Sequence, residues 1–347
     1  MKKWAIWAAA LCLTAGMAVG CQKESGAQAS AAAGTQAAAE TQAAAEESSA
    51  EEKTEAAKEA DQGTIAVTYV KSPLNVPSIV ERDQKIFESV FGPMGYEVTY
   101  SDLTTGPEQT QALASGDIQF LNAVGATSVI LSASNGADIR ILSMYSRSPE
   151  AFKLFAADDS ISSPEDLKGK KVAGPKGTIL HELLTAYLNT AGLTEEDIEF
   201  MAMGIPDAQA ALAGGSVDAA LLAGPTAYNM EKDGFYVVTD GVGLTDAVIV
   251  TAASGAYCEE HPQEVEAFLE AQKQVLTYMS ENYEASVEAA AKETELSEQA
   301  VQDMYGMYDF SMEIRDSDRE AMEKTEEFMR NTGMIEEPVD ISELIWE

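Results

Sequence analysis

One stretch of the sequence, Asp166–Leu193 (DLKGKKVAGPKGTILHELLTAYLNTAGL), strongly limits what the chain can fold into. Residues 170–173 form a short strand-like run, 174–178 a Gly/Pro loop, and 179–191 a segment with apolar residues three, four, seven and eight apart. This order predicts a strand, a tight turn and an amphipathic helix. We expect Thr178 to be the N-cap of that helix and Gly192 its C-cap.

The start of such a helix is a potential anion site, because several backbone N–H groups there have no partner and the helix dipole is positive. The GxxxxGK[ST] order of a P-loop is absent from the sequence. Any strand–loop–helix unit makes a similar turn, so an ordinary structural role remains the alternative.

The same alternation of short strands and helices continues over residues 64–245, which predicts an α/β fold with mainly parallel sheets and helices on both faces. The segment ALASGDIQFLNAVGAT (112–127) resembles ALAGGSVDAALLAGPT (211–226). Two unrelated βα units can look this similar. Together with the matching order of elements, however, this internal similarity favours two similar lobes that bind a ligand at the carboxyl ends of their strands.

Several local patterns give further expectations. A capping box at Ser78–Glu81 predicts a helix that runs to about Phe91. Three C-terminal helices are predicted to start at Pro262, near Ser297 and at the box Ser317–Glu320. We interpret their Met and aromatic stripes as core packing.

Charge and cysteine content limit the possible partners. The 347-residue chain has a formal net charge of −36, which argues against nucleic-acid binding and against charge-driven docking on anionic lipid. Of three cysteines, Cys258 is the one predicted to lie in the folded part, so no intramolecular disulfide is expected there. No metal-ligand cluster is evident, and we predict neither a metal nor a cofactor.

The N-terminus is typical of an exported lipoprotein. Met1–Gly20 has a basic start and an apolar run, as a secretory signal peptide does. The ending Ala18-Val19-Gly20-Cys21 resembles a lipobox, with Cys21 as the lipidated residue; ordinary cleavage is the alternative. Residues 21–63 are rich in Ala and Glu, and we predict a disordered tether there.

Two longer runs identify a family resemblance. LTTGPEQTQALASGDIQF with VGAT, and SSPEDLKGKKVAGPKGTILHELL with DAQAALAGGSVDAALLAGPT, are similar to the nitrate/sulfonate/taurine class of ABC-transporter substrate-binding proteins. The resemblance implies a two-lobed type II periplasmic-binding-protein fold. Lobe 1 would comprise residues 64–148 and 246–347, and lobe 2 residues 149–245, with a hinge of two crossovers.

The resemblance also implies where a ligand would bind. It points to backbone amides and helix starts at Thr105 and Gly106, at Gly125, Ala126 and Thr127, and at Gly177, Thr178 and His181. The remaining predicted ligand-binding residues are Ser72, Asn75, Tyr145, Pro225 and Asp246. The first loop, KSPLNVPS, lacks the Gln and aromatic residues usual in the family.

Some of these residues have a structural alternative. His181 either contacts ligand or forms structural hydrogen bonds. Asp246 either meets a cationic ligand group or caps a turn. Arg147, near the first crossover, either lines the cleft or is a surface charge.

These observations predict a monomeric, lipid-anchored receptor on the outer face of the cell membrane. It would capture a small ligand and deliver it to an ABC permease without turnover. An enzyme on the same scaffold is the alternative class, but the sequence contains no GxSxG, HExxH or CxxC motif. We expect a sulfonate or related oxyanion as ligand. A thiamine-precursor-like heterocycle is the alternative, and it would need aromatic stacking.

Overall fold

The computed structural model describes residues Gly63–Glu347. The predicted signal peptide, the lipidation site Cys21 and nearly all of the predicted tether lie outside these residues. Gly63, assigned to the tether, is the first residue of a strand. Within Gly63–Glu347 no helix has both the length and the apolar character needed to cross a bilayer.

The strands fall into two groups by their pairing. Their bounds are β1 (Gly63–Thr68), β2 (Tyr96–Ser101), β3 (Leu121–Gly125), β4 (Arg140–Arg147), β5 (Phe152–Ala156), β6 (Lys171–Gly174), β7 (Glu199–Ala202), β8 (Ala219–Ala223), β9 (Tyr236–Asp240) and β10 (Val248–Ala253). Strands β5–β9 form one sheet of order β7-β6-β8-β5-β9. The other strands form the pair β1-β2 and the sheet β3-β10-β4, which a parallel bridge from Val67 to Phe120 connects.

One strand in each group runs against its neighbours. β5 is antiparallel to β8 and β9, and β10 is antiparallel to β3 and β4, while β1-β2, β6-β7 and β6-β8 are parallel. The predicted α/β fold is confirmed, with most strands in each group pointing the same way. The chain enters the five-stranded sheet after β4 and returns to the first group through β10.

Helices cover the sheets and extend the C-terminal part. Their bounds are α1 (Val76–Gln84), α2 (Ile86–Phe91), α3 (Gly106–Ser115), α4 (Ala126–Ser134), α5 (Ile179–Asn189), α6 (Ile205–Ala213), α7 (Gly224–Lys232), α8 (Gly255–Glu260), α9 (Pro262–Glu281), α10 (Tyr283–Thr294), α11 (Glu298–Tyr305), α12 (Asp316–Asn331) and α13 (Ile341–Leu344). As the sequence predicts, each of β3, β6 and β8 leads into a helix: β3 and β8 directly into α4 and α7, and β6 through a short loop into α5.

The stripes of the C-terminal helices pack in the core, as predicted. Phe268 of α9 stacks on Phe120 with ring centroids 4.3 Å apart and lies 5.4 Å from the ring of Phe87. Met279 of α9 and Met304 of α11 are also buried. Burial of several such side chains, each contributing roughly 1.5–3 kcal/mol, fixes α9 against α1 and α2, and α11 against α10 and α7.

The predicted helix over residues 78–91 is wrong in two respects. Lys85 has φ 53° and separates α1 from α2, and α1 starts at Val76 after the N-cap Asn75. Ser78 and Glu81 do not form a capping box, because both lie inside α1, where their side chains are buried. Tyr145 Oη lies 2.8 Å from Ser78 Oγ, and Tyr100 Oη donates to Glu81 Oε1 over 2.7 Å.

Other boundaries also differ from the prediction. α5 ends at Asn189 with Thr190 as its C-cap, so Gly192 lies beyond the cap position. The last long helix, α12, starts at Asp316, ahead of the predicted box at Ser317. Helices α8, α10 and α13 were not predicted; α10 follows α9 after the single residue Asn282, with no Gly or Pro between them.

Candidate functional site

A cavity of about 420 Å³ lies where five helices begin. Its lining includes a residue from the N-terminal end of each of α3, α4, α5, α6 and α7: Gly106, Gly125, Thr178, Ile205 and Thr226. Every one of these helices starts with N–H groups that its own backbone cannot satisfy. The positive ends of their dipoles therefore lie at the cavity, which favours an anionic group there.

Four of these five helix starts have no side-chain cap. At α3 the hydroxyl of Thr105 accepts from the N–H of Glu108, whose carboxylate in turn accepts from the N–H of Thr105. By contrast, no side chain caps α4, α5, α6 or α7. Thr178 takes the predicted N-cap position, but its hydroxyl donates to the carbonyl of Pro175 over 2.8 Å. At these four starts, no N-cap side chain competes with a ligand for the backbone N–H donors.

The rest of the cavity wall is mostly apolar. The apolar lining residues include Val70, Ala123, Phe152, Ile179, Leu180, Ile205 and Ile249. Two lining residues are charged, Lys71 and Asp102, and Lys71 Nζ already pairs with Glu293 Oε1 at 3.1 Å. An anionic group in this cavity would consequently depend mainly on backbone donors, with its organic part against the apolar wall.

Five of the predicted site residues line this cavity: Ser72, Thr105, Gly106, Gly125 and Thr178. Ala126, Thr127 and Pro225 lie in the first turns of α4 and α7, next to lining residues, but do not line it themselves. The hydroxyl of Thr127 donates instead to Glu182 Oε2 over 2.5 Å.

Three further predicted residues have other contacts. Asn75 donates through Nδ2 to the carbonyls of Val70 and Ser72, so it stabilises the backbone of the first loop and does not line the cavity. Tyr145 is fully buried, and its hydroxyl bonds to Ser78. Asp246 is exposed and away from the cavity; the turn beside it is capped by Thr245, whose hydroxyl accepts from the N–H of Ala247.

Gly177 and His181 face a second cavity, of about 600 Å³, with Lys176, Glu195 and the end of α12. His181 Nδ1 accepts from the N–H of Gly177 over 3.2 Å, and Nε2 lies 2.5 Å from Glu195 Oε2. Burial lowers the pKa of His181, although the hydrogen bond to Glu195 opposes this. His181 thus holds the loop that leads into α5, which is the structural alternative from the sequence.

Arg147 matches neither sequence interpretation. Its side chain is largely buried, away from the cavity, and its guanidinium contacts Asp318 of α12 at 2.5 Å. Burial alone would raise the pKa of Asp318, but the hydrogen bonds from Arg147 and from the backbone of Arg315 lower it. The pair joins β4 to α12.

Sequence reasoning missed several lining residues. Phe152 opens the strand of the first crossover and Ile249 lies in the strand of the second. The predicted hinge of two crossovers was a partial signal, because strands that connect two lobes run close to the cleft between them. Tyr69 and Ser128 also line the cavity. Ser128 follows the predicted Thr127 directly, and Tyr69 precedes the predicted Ser72 by three residues.

The described residues contain no cluster of three or more His, Cys, Asp or Glu side chains suited to a metal ion. Cys258 is a free, buried thiol, and burial raises its pKa to about 12. Its thiolate form is therefore scarce at neutral pH.

Comparison with solved structures supports the fold. The chain superimposes on the periplasmic aliphatic sulphonate binding protein SsuA from Escherichia coli with a TM-score of 0.69, at 23% identity, covering 82% of this chain and 92% of that one. The alkanesulfonate-binding protein SsuA from Xanthomonas axonopodis pv. citri, bound to MOPS, gives a TM-score of 0.75 at 21% identity, covering 83% and 99%. The predicted periplasmic-binding-protein-like fold is confirmed.

Sequence comparison identifies the family. A putative aliphatic sulfonates-binding protein from Bacillus subtilis (strain 168) is 25% identical over 274 residues, 78% of this chain and 82% of that protein. The taurine-binding periplasmic protein of Escherichia coli (strain K12) is 32% identical over 178 residues, half of this chain and 55% of that protein. Both relatives are named as binding proteins, which agrees with the predicted non-enzymatic role of this chain. The family model described as NMT1/THI5 like matches residues 91–286, more than half of the chain. The chain therefore belongs to the NMT1/THI5-like family.

Proposed function

We propose that this protein is the solute receptor of an ABC importer and that it captures an organic sulfonate or a related oxyanion in the 420 Å³ cavity. The observation that carries the proposal is the convergence of four uncapped helix starts on one apolar cavity. A sulfonate offers three acceptor oxygens to such donors. The names of the two sequence relatives point to the same class of ligand.

Cavity size favours a ligand with a sizeable organic group. Small-molecule sites usually have volumes of about 300–1,000 Å³, and this cavity is within that range. An inorganic anion such as nitrate would fill only a small part of it, since a water molecule occupies roughly 30 Å³. The apolar wall would contact the alkyl or aryl part of the sulfonate, so affinity should increase with that part.

The two groups of strands correspond to the two lobes in this proposal. Release of ligand would require them to move apart about the connections between β4 and β5 and between β9 and β10. Lipidation at Cys21 would keep the receptor at the outer face of the membrane, where the permease is. Because the net charge is −36, the receptor would remain soluble and would bind its anion through local dipoles.

A thermal-shift and calorimetry screen tests the proposal. The panel would contain alkanesulfonates of increasing chain length, an arylsulfonate, taurine, nitrate and a thiamine-precursor-type heterocycle. A ligand present at about 1,000 times its Kd adds ~4 kcal/mol to the folded state, which would raise Tm by roughly 8 °C. We expect the largest shifts from the larger sulfonates, with the ligand recovered unchanged.

Other outcomes would contradict parts of the proposal. A response to the heterocycle alone, with none to any sulfonate, would retain the receptor and discard the oxyanion ligand. The aromatic rings of Tyr69 and Phe152 in the lining would then be the contacts to examine. Conversion of a ligand to a new product would contradict the receptor role itself.

A further inference from the structure

A buried carboxyl in the first turn of α5 connects the two groups of strands. The side chain of Glu182 is enclosed, and the residue is only 4% exposed. Its Oε2 accepts from Thr127 Oγ1 over 2.5 Å, and its Oε1 accepts from Thr325 Oγ1 over 3.0 Å. The hydroxyl of Thr245 also lies close to this carboxyl and favours its charged form.

The three hydroxyls come from three separate segments that lie outside the five-stranded sheet and its helices. Thr127 lies in the first turn of α4, Thr325 in α12, and Thr245 in the connection that leads into β10. α5, in contrast, connects β6 and β7 of the five-stranded sheet. A second bond between α4 and the loop before α5 runs from Ser128 Oγ to the carbonyl of Gly177, over 2.8 Å. Contacts through Glu182 therefore converge where α4 and α5 both begin at the cavity.

No positive charge balances this carboxyl among the described residues. Neutral hydroxyls face it from α4, α12 and the connection to β10, and that connection also brings the carboxylate of Asp246 into range. Its neighbour His181 pairs with Glu195 instead. Burial raises the pKa of Glu182; the hydroxyl hydrogen bonds oppose this and Asp246 adds to it. A buried charge without a cationic partner is costly, so a neutral, protonated carboxyl is favoured in this enclosed site.

We propose that Glu182 is a positioning residue that sets α4 against α5 in the closed arrangement, which the receptor samples without ligand and which ligand stabilises, and that it takes up a proton as the cavity closes. This inference rests on the proposed function, in which the two groups of strands separate to release ligand. In the open receptor water would reach the carboxyl and restore its ordinary acidity. Closure then transfers one proton from solvent to the carboxylate, so sulfonate affinity should rise as pH falls through the closed-state pKa and level off below the open-state pKa.

Hydrogen exchange tests the positioning role without any ligand. We expect Glu182→Ala to increase amide exchange in the first turns of both α4 and α5 by ~10-fold or more, because the hydrogen bonds from Thr127 and Thr325 to a buried group are lost. Glu182→Gln, which keeps the shape, should retain most of the protection. Unchanged exchange at both helix starts in Glu182→Ala, measured on the full chain by mass spectrometry, would overturn this role.

Glu81 provides a matched control, since it is also a buried carboxyl with hydrogen bonds from neutral groups, Tyr100 Oη and the N–H of Phe87. Burial raises its pKa to about 8, but its partners lie in β2 and α2, away from the five-stranded sheet and its helices. Glu81→Ala should leave exchange at the starts of α4 and α5 unchanged. If it produced the same increase as Glu182→Ala, general destabilisation would explain both results.

Calorimetry tests the proton. Titration of a long-chain alkanesulfonate, which has no titrating group near neutrality, into the full chain in two buffers of different ionisation enthalpy gives the number of protons taken up. We expect uptake in the wild type and in Glu81→Gln but none in Glu182→Gln. Equal uptake in Glu182→Gln would overturn the proton coupling. Failure of the wild type to bind any sulfonate would contradict the proposed function, and the exchange result would still decide the positioning role.

Discussion

A single glycine allows the first loop to approach α7. Gly224 has φ +58°, and a Cβ at this position would lie 1.7 Å from the carbonyl oxygen of Pro73. Both partners are backbone atoms, so no side-chain rotation can relieve the clash. Pro73 lines the cavity, which means that this contact sets the position of the first loop on it.

We expect Gly224→Ala to lower the free energy of unfolding by at least ~3 kcal/mol, from backbone strain and overpacking together. Gly234→Ala is the control, because Gly234 has φ +89° and nothing within 4 Å of its Cβ position. It should cost only the roughly 1–2 kcal/mol of a left-handed alanine. Chemical denaturation measures both; equal losses would show that the Pro73 contact does not matter.

His181 gives a second prediction, on pH dependence. Its folded-state pKa is lowered, chiefly by burial, so the bonds of the neutral ring stabilise the fold at high pH. That stability should be lost as pH falls below the ordinary value of ~6.5 and through the folded-state pKa, because a protonated Nδ1 cannot accept from Gly177. Replacement by Phe should cost about 1–3 kcal/mol at pH 8.

The pH part is measured as a difference. We expect the stability advantage of wild type over His181→Phe to shrink between pH 8 and pH 5 in denaturation experiments. His181→Gln, which can still form hydrogen bonds but does not titrate, should show an advantage over Phe that is independent of pH. A constant difference between wild type and Phe across this range would contradict a titrating role for the ring.

At the scale of elements, the four uncapped helix starts distinguish this cavity from an ordinary set of βα turns. Gly204 is the N-cap of α6, and a Cβ there would meet nothing closer than 3.8 Å, at Pro206 Cδ. A side chain can therefore be added at this position without a clash. Such a side chain would bring a new acceptor to N–H groups that otherwise face the ligand.

Gly204→Asp should weaken sulfonate binding by ~10-fold or more, since a carboxylate would occupy these donors and repel the anion at short range. Gly204→Asn is the matched variant, with the same shape and capping capacity but no charge. It should weaken binding less than Asp does, and both variants should change stability by under ~1 kcal/mol. Equal affinities for Asp and wild type in calorimetry would remove α6 from the anion site.

The sequence predicted the elements better than their contacts. Strands and helices bounded by Gly or Pro, such as β6 and α5, were found to within about two residues because the loop chemistry marks their ends. The break at Lys85 and the separate helix α10 have no such mark. Tertiary packing decides them, and it is not visible in local periodicity.

The same distinction applies to the site. Helix starts at Thr105, Gly125 and Thr178 were predictable, because a backbone donor needs only a local pattern. The orientation of side chains was not. Thr127 turns to a carboxyl 55 positions away, and that carboxyl also holds Thr325, 143 positions away. Pairings over such separations cannot be obtained from one sequence by spacing rules.

At the scale of the whole molecule, a chain of net charge −36 would bind an anion at a site that contains no unpaired cation in its described lining. The long-range field repels the ligand, whereas the helix starts attract it only at contact distance. Salt screens the long-range repulsion, with a Debye length of ~10 Å at 0.1 M. It affects the attraction by the helix starts much less, because that attraction acts inside the enclosed cavity.

The association rate constant for a sulfonate should therefore increase with ionic strength, by several-fold between about 0.02 M and 0.5 M NaCl, while the dissociation rate stays nearly constant. Stopped-flow fluorescence measures both rates. An uncharged osmolyte, added to match the viscosity of the salt solutions, is the control. A receptor that attracts its anion through surface lysines would show the opposite trend. An association rate that falls with salt would thus indicate a local cationic field at the cavity mouth, with Lys71 released from Glu293 as its source.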